Sequence, residues 1–223
     1  MKFTKIVSIL FVALAAANTA QAQDVAATVD LGTTGFGLHL TTPLANKLNA
    51  RVGLNYAGYS YDGSTSDLDY EFKLKLATAD ALLDFHPFDG AFRLSGGVVY
   101  NGNRIDADAK PAANGTYTIN GRAYSTAQVG KLNGKIDFRK TAPYLGIGWG
   151  NAVKNTGWGF AMDLGVAFQG SPKTSLASHG CSAPALVCNQ IASDVAVENA
   201  KLAEDAKDFK AYPVIRVGLS YRF

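Results

Sequence analysis

Trp158-Gly159-Phe160-Ala161-Met162-Asp163-Leu164-Gly165-Val166-Ala167-Phe168-Gln169 reads as two sets of residues interleaved. Every second residue from Trp158 to Phe168 is large and apolar, and the residues between are Gly, Ala, one Asp and one Gln. A period of two places the sets on opposite faces of a β-strand. Small residues with isolated charges suit a narrow polar lumen better than an open aqueous surface. The other face asks for an apolar surrounding.

The same alternation recurs outward from this stretch in both directions. Phe36, Leu38 and Leu40 show it, as do Leu48, Ala50, Val52, Leu54 and Tyr56. Tyr70, Phe72, Leu74 and Leu76 follow, and near Thr78 the phase slips to Ala79, Ala81, Leu83 and Phe85, which suggests a bulge. Phe92, Leu94, Val98 and Tyr100 continue it, and Ile215, Val217, Leu219, Tyr221 and Phe223 end it. A soluble sandwich would alternate too, so the connections must decide. Pro43 to Lys47, Pro87 to Gly90 and Gly150 to Thr156 are short; Asp62 to Asp69, Asp106 to Gly134 and Gly170 to Lys210 are longer. Short turns on one side and long loops on the other describe an outer-membrane barrel. Aromatic residues at strand ends supply two interfacial girdles, one from Tyr56, Tyr59, Tyr61 and Tyr70 and one from Phe85, Phe88, Phe92, Trp149 and Trp158.

Seven segments are clear, at 33–42, 48–61, 70–86, 91–105, 135–149, 157–169 and 212–223. Bacterial single-chain barrels use an even number, so an eighth strand must precede the first. Asp24 to Leu31, where Val25, Ala27, Val29 and Leu31 alternate weakly, is the candidate. The expected fold is all-β: a transmembrane antiparallel up-and-down β-barrel of eight strands, with long extracellular loops and a short helix in the last loop.

Composition agrees. The chain has 223 residues, 48% hydrophobic and 17% charged, with 23 Gly and 2 Cys. That excludes a disordered, collagenous or disulfide-scaffold protein. Its net charge of +3 falls by two, to +1, without Lys2 and Lys5, which is too small a basic excess for a nucleic-acid partner. Lys2 and Lys5, the apolar run Ile6 to Ala17 and Ala20-Gln21-Ala22 make residues 1–22 a secretory signal peptide, with the barrel spanning 23–223. An oxidising compartment fits a disulfide between Cys181 and Cys188. Leu219, Tyr221 and the terminal Phe223 resemble the insertion signal read by the outer-membrane assembly machinery. Outer-membrane lipid, that machinery and small solutes are the expected partners.

In the loops, Thr116 to Tyr124 surrounds Asn120-Gly121, a type I′ hairpin signal. Ser193 to Phe209 reads as a helix capped by Ser193 or Asp194, with Val195, Leu202 and Phe209 on one stripe. It could serve as a lid over the barrel mouth or simply fold the loop on itself. The lumen candidates are Arg51, Lys73, Lys75, Asp84, Arg93, Asp163 and Arg216, with His39, Glu71, Asp80, Asp137 and Arg139 as further ones. Such charges either line a solute path or pair across a filled interior. With histidines only at 39, 86 and 179, a catalytic constellation would have to use His39, and no local motif supports one. No cysteine and histidine spacing suits zinc, so no enzyme activity, cofactor or metal is expected.

Gly32-Thr33-Thr34-Gly35-Phe36-Gly37, Ala142-Pro143-Tyr144-Leu145-Gly146-Ile147-Gly148 and Gly170-Ser171-Pro172-Lys173 resemble CarO-type outer-membrane porins. The long Tyr70 to Pro87 strand and the Tyr124 to Gly134 approach are similar as well, so the resemblance spans most of residues 32–176. It implies an eight-stranded barrel associated with uptake of ornithine and other small amino acids and with carbapenem susceptibility. The chain departs from that family in a shorter N-terminal segment and in its Cys-bearing, helical final loop. The function expected is a narrow porin-like channel for passive uptake of small polar or zwitterionic solutes such as amino acids. The alternatives are an OmpW-like barrel for small apolar molecules and a sealed structural or adhesive barrel acting through its extracellular loops.

Overall fold

The structure is a computed structural model that describes residues 24–64, 69–112 and 114–223; the signal-peptide segment 1–22 lies outside them. Eight strands close a ring. They are β1 (Ala26–Gly32), β2 (Gly35–Ala45), β3 (Leu48–Ser64), β4 (Asp69–Phe85), β5 (Phe92–Asn101), β10 (Thr141–Trp149), β11 (Gly157–Phe168) and β13 (Ala211–Arg222). All neighbours in the ring are antiparallel, and β1 meets β13 from Ala26↔Arg222 to Gly32↔Arg216, so the first strand shuts the barrel. That strand is the weakest in sequence because its apolar face holds Ala27 beside Val29 and Leu31, while Ala26, Thr28 and Asp30 are buried inside.

Large apolar side chains cover the outer wall. Leu31 is 65% exposed, and Leu38, Val52, Leu83, Leu145, Phe160 and Val217 share that outward face. In water such a surface would be unstable; in lipid it is the expected exterior. At the short-turn end Phe88, Phe92 and Trp149 form one aromatic run, and Trp158, Tyr221 and Phe223 form another, their ring centroids 5.2–6.1 Å apart. At the opposite end only part of the expected girdle faces outward. Tyr56 does, but Tyr59 and Tyr61 stand at odd positions with Asn55, on the face that continues the lumen, and Tyr61 stacks on Phe72.

Above the ring the wall continues on one side only. β6 (Arg104–Lys110), β9 (Lys131–Asp137) and β12 (Lys173–His179) extend the paths of β5, β10 and β11, and join the long ends of β3 and β4. The expected strands 91–105 and 135–149 are therefore each split, at 102–103 and 138–140. At the first break Gly102 N donates to Ala77 O at 2.8 Å, and Asn103 Oδ1 takes the next donor, Ala77 N, at 3.0 Å. The side chain replaces a ladder bond while the strand path steps.

The bulge expected at Thr78 is absent. β4 keeps one register with β3 from Leu48↔Phe85 to Ser64↔Asp69. What changes at Thr78 is which face is apolar. Below it the even residues Thr78, Asp80 and Asp84 point inward and Ala79, Leu83 and Phe85 outward; above it Phe72, Leu74 and Leu76 keep the even phase while Glu71, Lys73 and Lys75 take the odd one. The strand leaves lipid there, and hydrophobicity changes sides.

A hairpin and a helix cover the inward face of this upper sheet. β7 (Thr116–Ile119) and β8 (Arg122–Ser125) pair across Asn120-Gly121, both at positive φ as a type I′ turn requires. The one-turn helix α1 (Thr126–Val129) follows, closed by a capping box of Ser125 and Gln128. Helix α2 (Ala185–Ala206) completes the cover. Tyr117, Ile119, Tyr124, Val129, Leu132, Ile191 and Val195 form its apolar core.

α2 begins eight residues earlier than the 193 start expected, directly after Pro184, so Ser193 and Asp194 lie inside the helix and do not cap it. The Cys181–Cys188 disulfide is formed, and it ties the first turns of the helix to the preceding loop. Of the expected stripe, Val195 is buried and Leu202 half-buried, but Phe209 lies past the helix end and is 63% exposed.

Candidate functional site

The interior of the ring is crossed by charged side chains in two linked layers. In the layer nearer the short turns, Arg51 of β3 forms ion pairs with Asp84 of β4, 2.9 Å from its Nε, and with Asp163 of β11, 2.8 Å from its Nη1. Its Nη2 also reaches both carboxylates, at 3.1 and 3.0 Å. Arg93 of β5 bonds Asp163 at 2.9 Å and donates to the backbone carbonyls of Gly150 and Met162. Ser95 Oγ donates to Asp84. Two guanidiniums and two carboxylates thus tie β3, β4 and β5 to β11 across the interior.

In the other layer, His39 of β2 lies between Asp30 of β1, at 2.7 Å from Nδ1, and Arg216 of β13, at 2.6 Å from Nε2. His39 Nε2 also lies 3.2 Å from Asp80 Oδ2, so the ring stands between two carboxylates and a guanidinium. Arg216 also bonds Asp80 at 3.1 Å, which accepts from the Asn55 amide at 3.0 Å. Tyr144 of β10 lies under the Arg216 guanidinium, 6.0 Å from ring centroid to Cζ. Below both layers, Asn49 links His86 and Asn151, each at 3.2 Å.

Glycines make this filling possible. A Cβ at Gly53 would overlap the His39 ring, one at Gly165 would overlap Tyr144, and one at Gly148 would stand 2.7 Å from Arg93 Nε. The small residues that read as a lumen lining are the seats of large side chains from neighbouring strands. Toward each end of this packing lies a cavity of about 10 Å³, room for about one water. The upper one is lined by Thr34, Asn101, Gln169 and Arg216 among others, and the lower by Asn49, His86 and Arg93.

Of the lumen candidates, Arg51, Asp84, Arg93 and Asp163 meet in one cluster, and Arg216 belongs to the next, with His39 and Asp80. Lys73 and Lys75 are not in the lumen. They stand on the outward face of β4 where it pairs with β6, and Lys73, 46% exposed, bonds Asp108 at 2.7 Å. The Asp108 carboxyl is held below its ordinary range by that ammonium and by the Asn133 amide, and the ammonium is raised in turn. Glu71 and Asp137 share the upper sheet, and Arg139 is exposed. Sequence reasoning missed Asp30, Asn55 and Tyr144. All three stand on inward faces of strands that alternation identifies, Tyr144 in phase with Gly146 and Gly148, so the same pattern could have supplied them.

Leu219, Tyr221 and Phe223 lie exposed on the lipid-facing side of the chain's end. Above the membrane, Asp194 of α2 is a third polar focus. Tyr124 O–H donates to it, with Asn120 at 3.1 Å, Gln190 at 3.2 Å and Arg122 at 3.3 Å. These donors hold its carboxyl below the ordinary range, the Tyr124 hydroxyl foremost, while burial and that carboxylate push the Tyr124 hydroxyl up.

A closed eight-stranded barrel with a lipid-facing wall, an ion-paired interior and an extracellular superstructure defines a transmembrane β-barrel protein. No protein-family model matches the chain, and no curated protein matches it. Among solved structures it is similar in fold to CarO2 of Acinetobacter baumannii, with 22% identity, 90% of this chain and 98% of that chain covered and a TM-score of 0.55. Acinetobacter baumannii CarO matches at 20% identity over 92% of this chain and 100% of that one, also with a TM-score of 0.55. A major outer membrane protein of Thermus thermophilus matches at 15% identity over 90% of this chain and 98% of that one, with a TM-score of 0.45.

Proposed function

We propose that this protein is a closed outer-membrane barrel whose work is done by its extracellular sheet, hairpin and helix. The observation that carries the reading is the bridge from Asp84 through Arg51 to Asp163 and Arg93, which crosses the interior with a water-sized cavity on either side. Passage of an amino acid would require Arg51 to leave two carboxylates at once. Separating buried charges costs several kcal/mol per ion, so a resting path for zwitterions is disfavoured. An apolar path of the OmpW kind would have to leave past Asp80, Asn101, Gln169 and Arg216, which stand among apolar side chains in the wall of the upper cavity.

Residues 1–22 direct export in this reading, and Leu219, Tyr221 and Phe223 present the chain to the assembly machinery. Refolded protein in liposomes tests it, with heat-modifiable gel mobility as the folding check. Swelling in glycine, ornithine, glutamate and a small sugar is expected to match that of empty liposomes. Solute-dependent swelling would overturn closure and restore the porin-like reading.

A further inference from the structure

β12 is the last strand of the upper sheet: β9 pairs with one side, and among the described residues no strand pairs with the other. None of its seven residues is buried. An unpaired strand edge presents alternate N–H and C=O groups to solvent and is a template for another strand. A groove of about 350 Å³ lies between this strand and α2. Three consecutive residues, Leu176, Ala177 and Ser178, line it. Consecutive side chains point to opposite faces, so a groove touched by all three runs along the edge itself. The facing wall comes from Ile191, Val195 and Asn199, one stripe of the helix at four-residue spacing. The wall is largely apolar, and Asn199 Oδ1 is buried without a hydrogen-bond partner.

A free main-chain edge beside an apolar groove under a helix calls for a ligand that has both a backbone and alternating side chains. We propose that an extended peptide segment adds to β12 as a further strand, seating alternate small apolar side chains between β12 and α2. Charge narrows the partner. β12 carries no acidic residue, and β12 and β9 together carry Lys131, Lys135 and Lys173 against one carboxylate, Asp137, which stands opposite Lys173. The partner therefore carries carboxylates on a segment of about seven residues. The same charges argue against a second copy, because pairing two β12 edges would bring together two segments that each carry this excess of positive charge.

The inference rests on the reading of the extracellular part as the working part. Its test uses the full refolded protein in detergent micelles and a fluorescein-labelled peptide, Asp-Val-Thr-Val-Thr-Val-Asp. Two analogues are N-methylated on alternate residues, one set for each edge of the peptide. Strand addition uses one edge only, so one analogue should bind about tenfold or more weakly and the other should match the parent. Ala192→Trp, which fills the groove, should weaken the parent peptide by a similar factor. Should that variant misfold, the analogue pair still decides. No saturable binding up to about 1 mM, the affinity of a weak contact, would overturn the proposal. So would equal loss with both analogues, or concentration-dependent dimers of the protein in place of peptide binding. A conducting barrel would sink the closed reading and leave this result untouched, whereas a silent barrel that binds no peptide would sink only this inference.

Discussion

Asp163 accepts from two guanidiniums at once, Arg51 at 2.8 Å and Arg93 at 2.9 Å, and both arginines are buried. Removing one partner of a buried pair leaves the other charge uncompensated. Asp163→Ala should therefore cost about 3–5 kcal/mol, read as a lower urea midpoint for unfolding from lipid vesicles. A loss below about 1 kcal/mol, the range of exposed pairs, would mean that the arginines are hydrated. Asp194 makes a different prediction, outside the membrane. Its carboxyl is depressed in the folded protein, chiefly by the Tyr124 hydroxyl, so its contribution is present above the unfolded value of about 3.9 and is lost as pH falls below that. Hydrogen exchange in α2 should rise below about pH 4 in the wild type. In Asp194→Asn it should already be raised at neutral pH and change little with acid. The interior charges are legible from sequence because an Arg or Asp breaking an otherwise apolar alternation is conspicuous. Tyr144 is less so: alternation puts it in phase with Gly146 and Gly148 on the inward face, but the seat it folds over, Gly165, belongs to the next strand.

β4 shows why elements are easier to find than to interpret. Its strand character, from Tyr70 to Phe85, is plain from alternation, yet the switch at Thr78 imitates a bulge in one dimension. Only the partner register separates a slipped strand from a straight one that passes between two solvents. The same boundary explains why Lys73 and Lys75 lie outside: they interleave with apolar residues as lumen charges would, but the apolar set there faces the hairpin and helix, not lipid. A Trp placed at position 83 should be quenched strongly by brominated lipid, and one at position 75 hardly at all. Equal quenching would put the membrane boundary elsewhere. The start of α2 is hidden for a related reason. Cys188 reads as part of a loop, although the disulfide joins the loop to a helical turn that Pro184 starts without a side-chain cap.

At the scale of the molecule, two interiors stack along one axis and obey opposite rules. Inside the ring, charged and polar side chains are buried beside one small apolar cluster that includes Leu82, Val99 and Val214, and the large apolar side chains of the wall face out; above it, Tyr117, Ile119, Leu132 and Ile191 make an ordinary apolar core with charges on the surface. The inversion follows from the surroundings, lipid below and water above. Ring closure, strand number and the side carrying long loops can all be derived from alternation and loop length. The one-sided upper sheet cannot, because strands divided at 102–103 and 138–140 look continuous in sequence. Closure is the central claim, and ion conductance across a planar bilayer tests it most directly. Wild-type protein should give no conductance steps, and a variant with Arg51→Ala, Arg93→Ala and Asp163→Ala should give them. Steps in the wild type that persist unchanged in that variant would contradict a barrel sealed by these ion pairs.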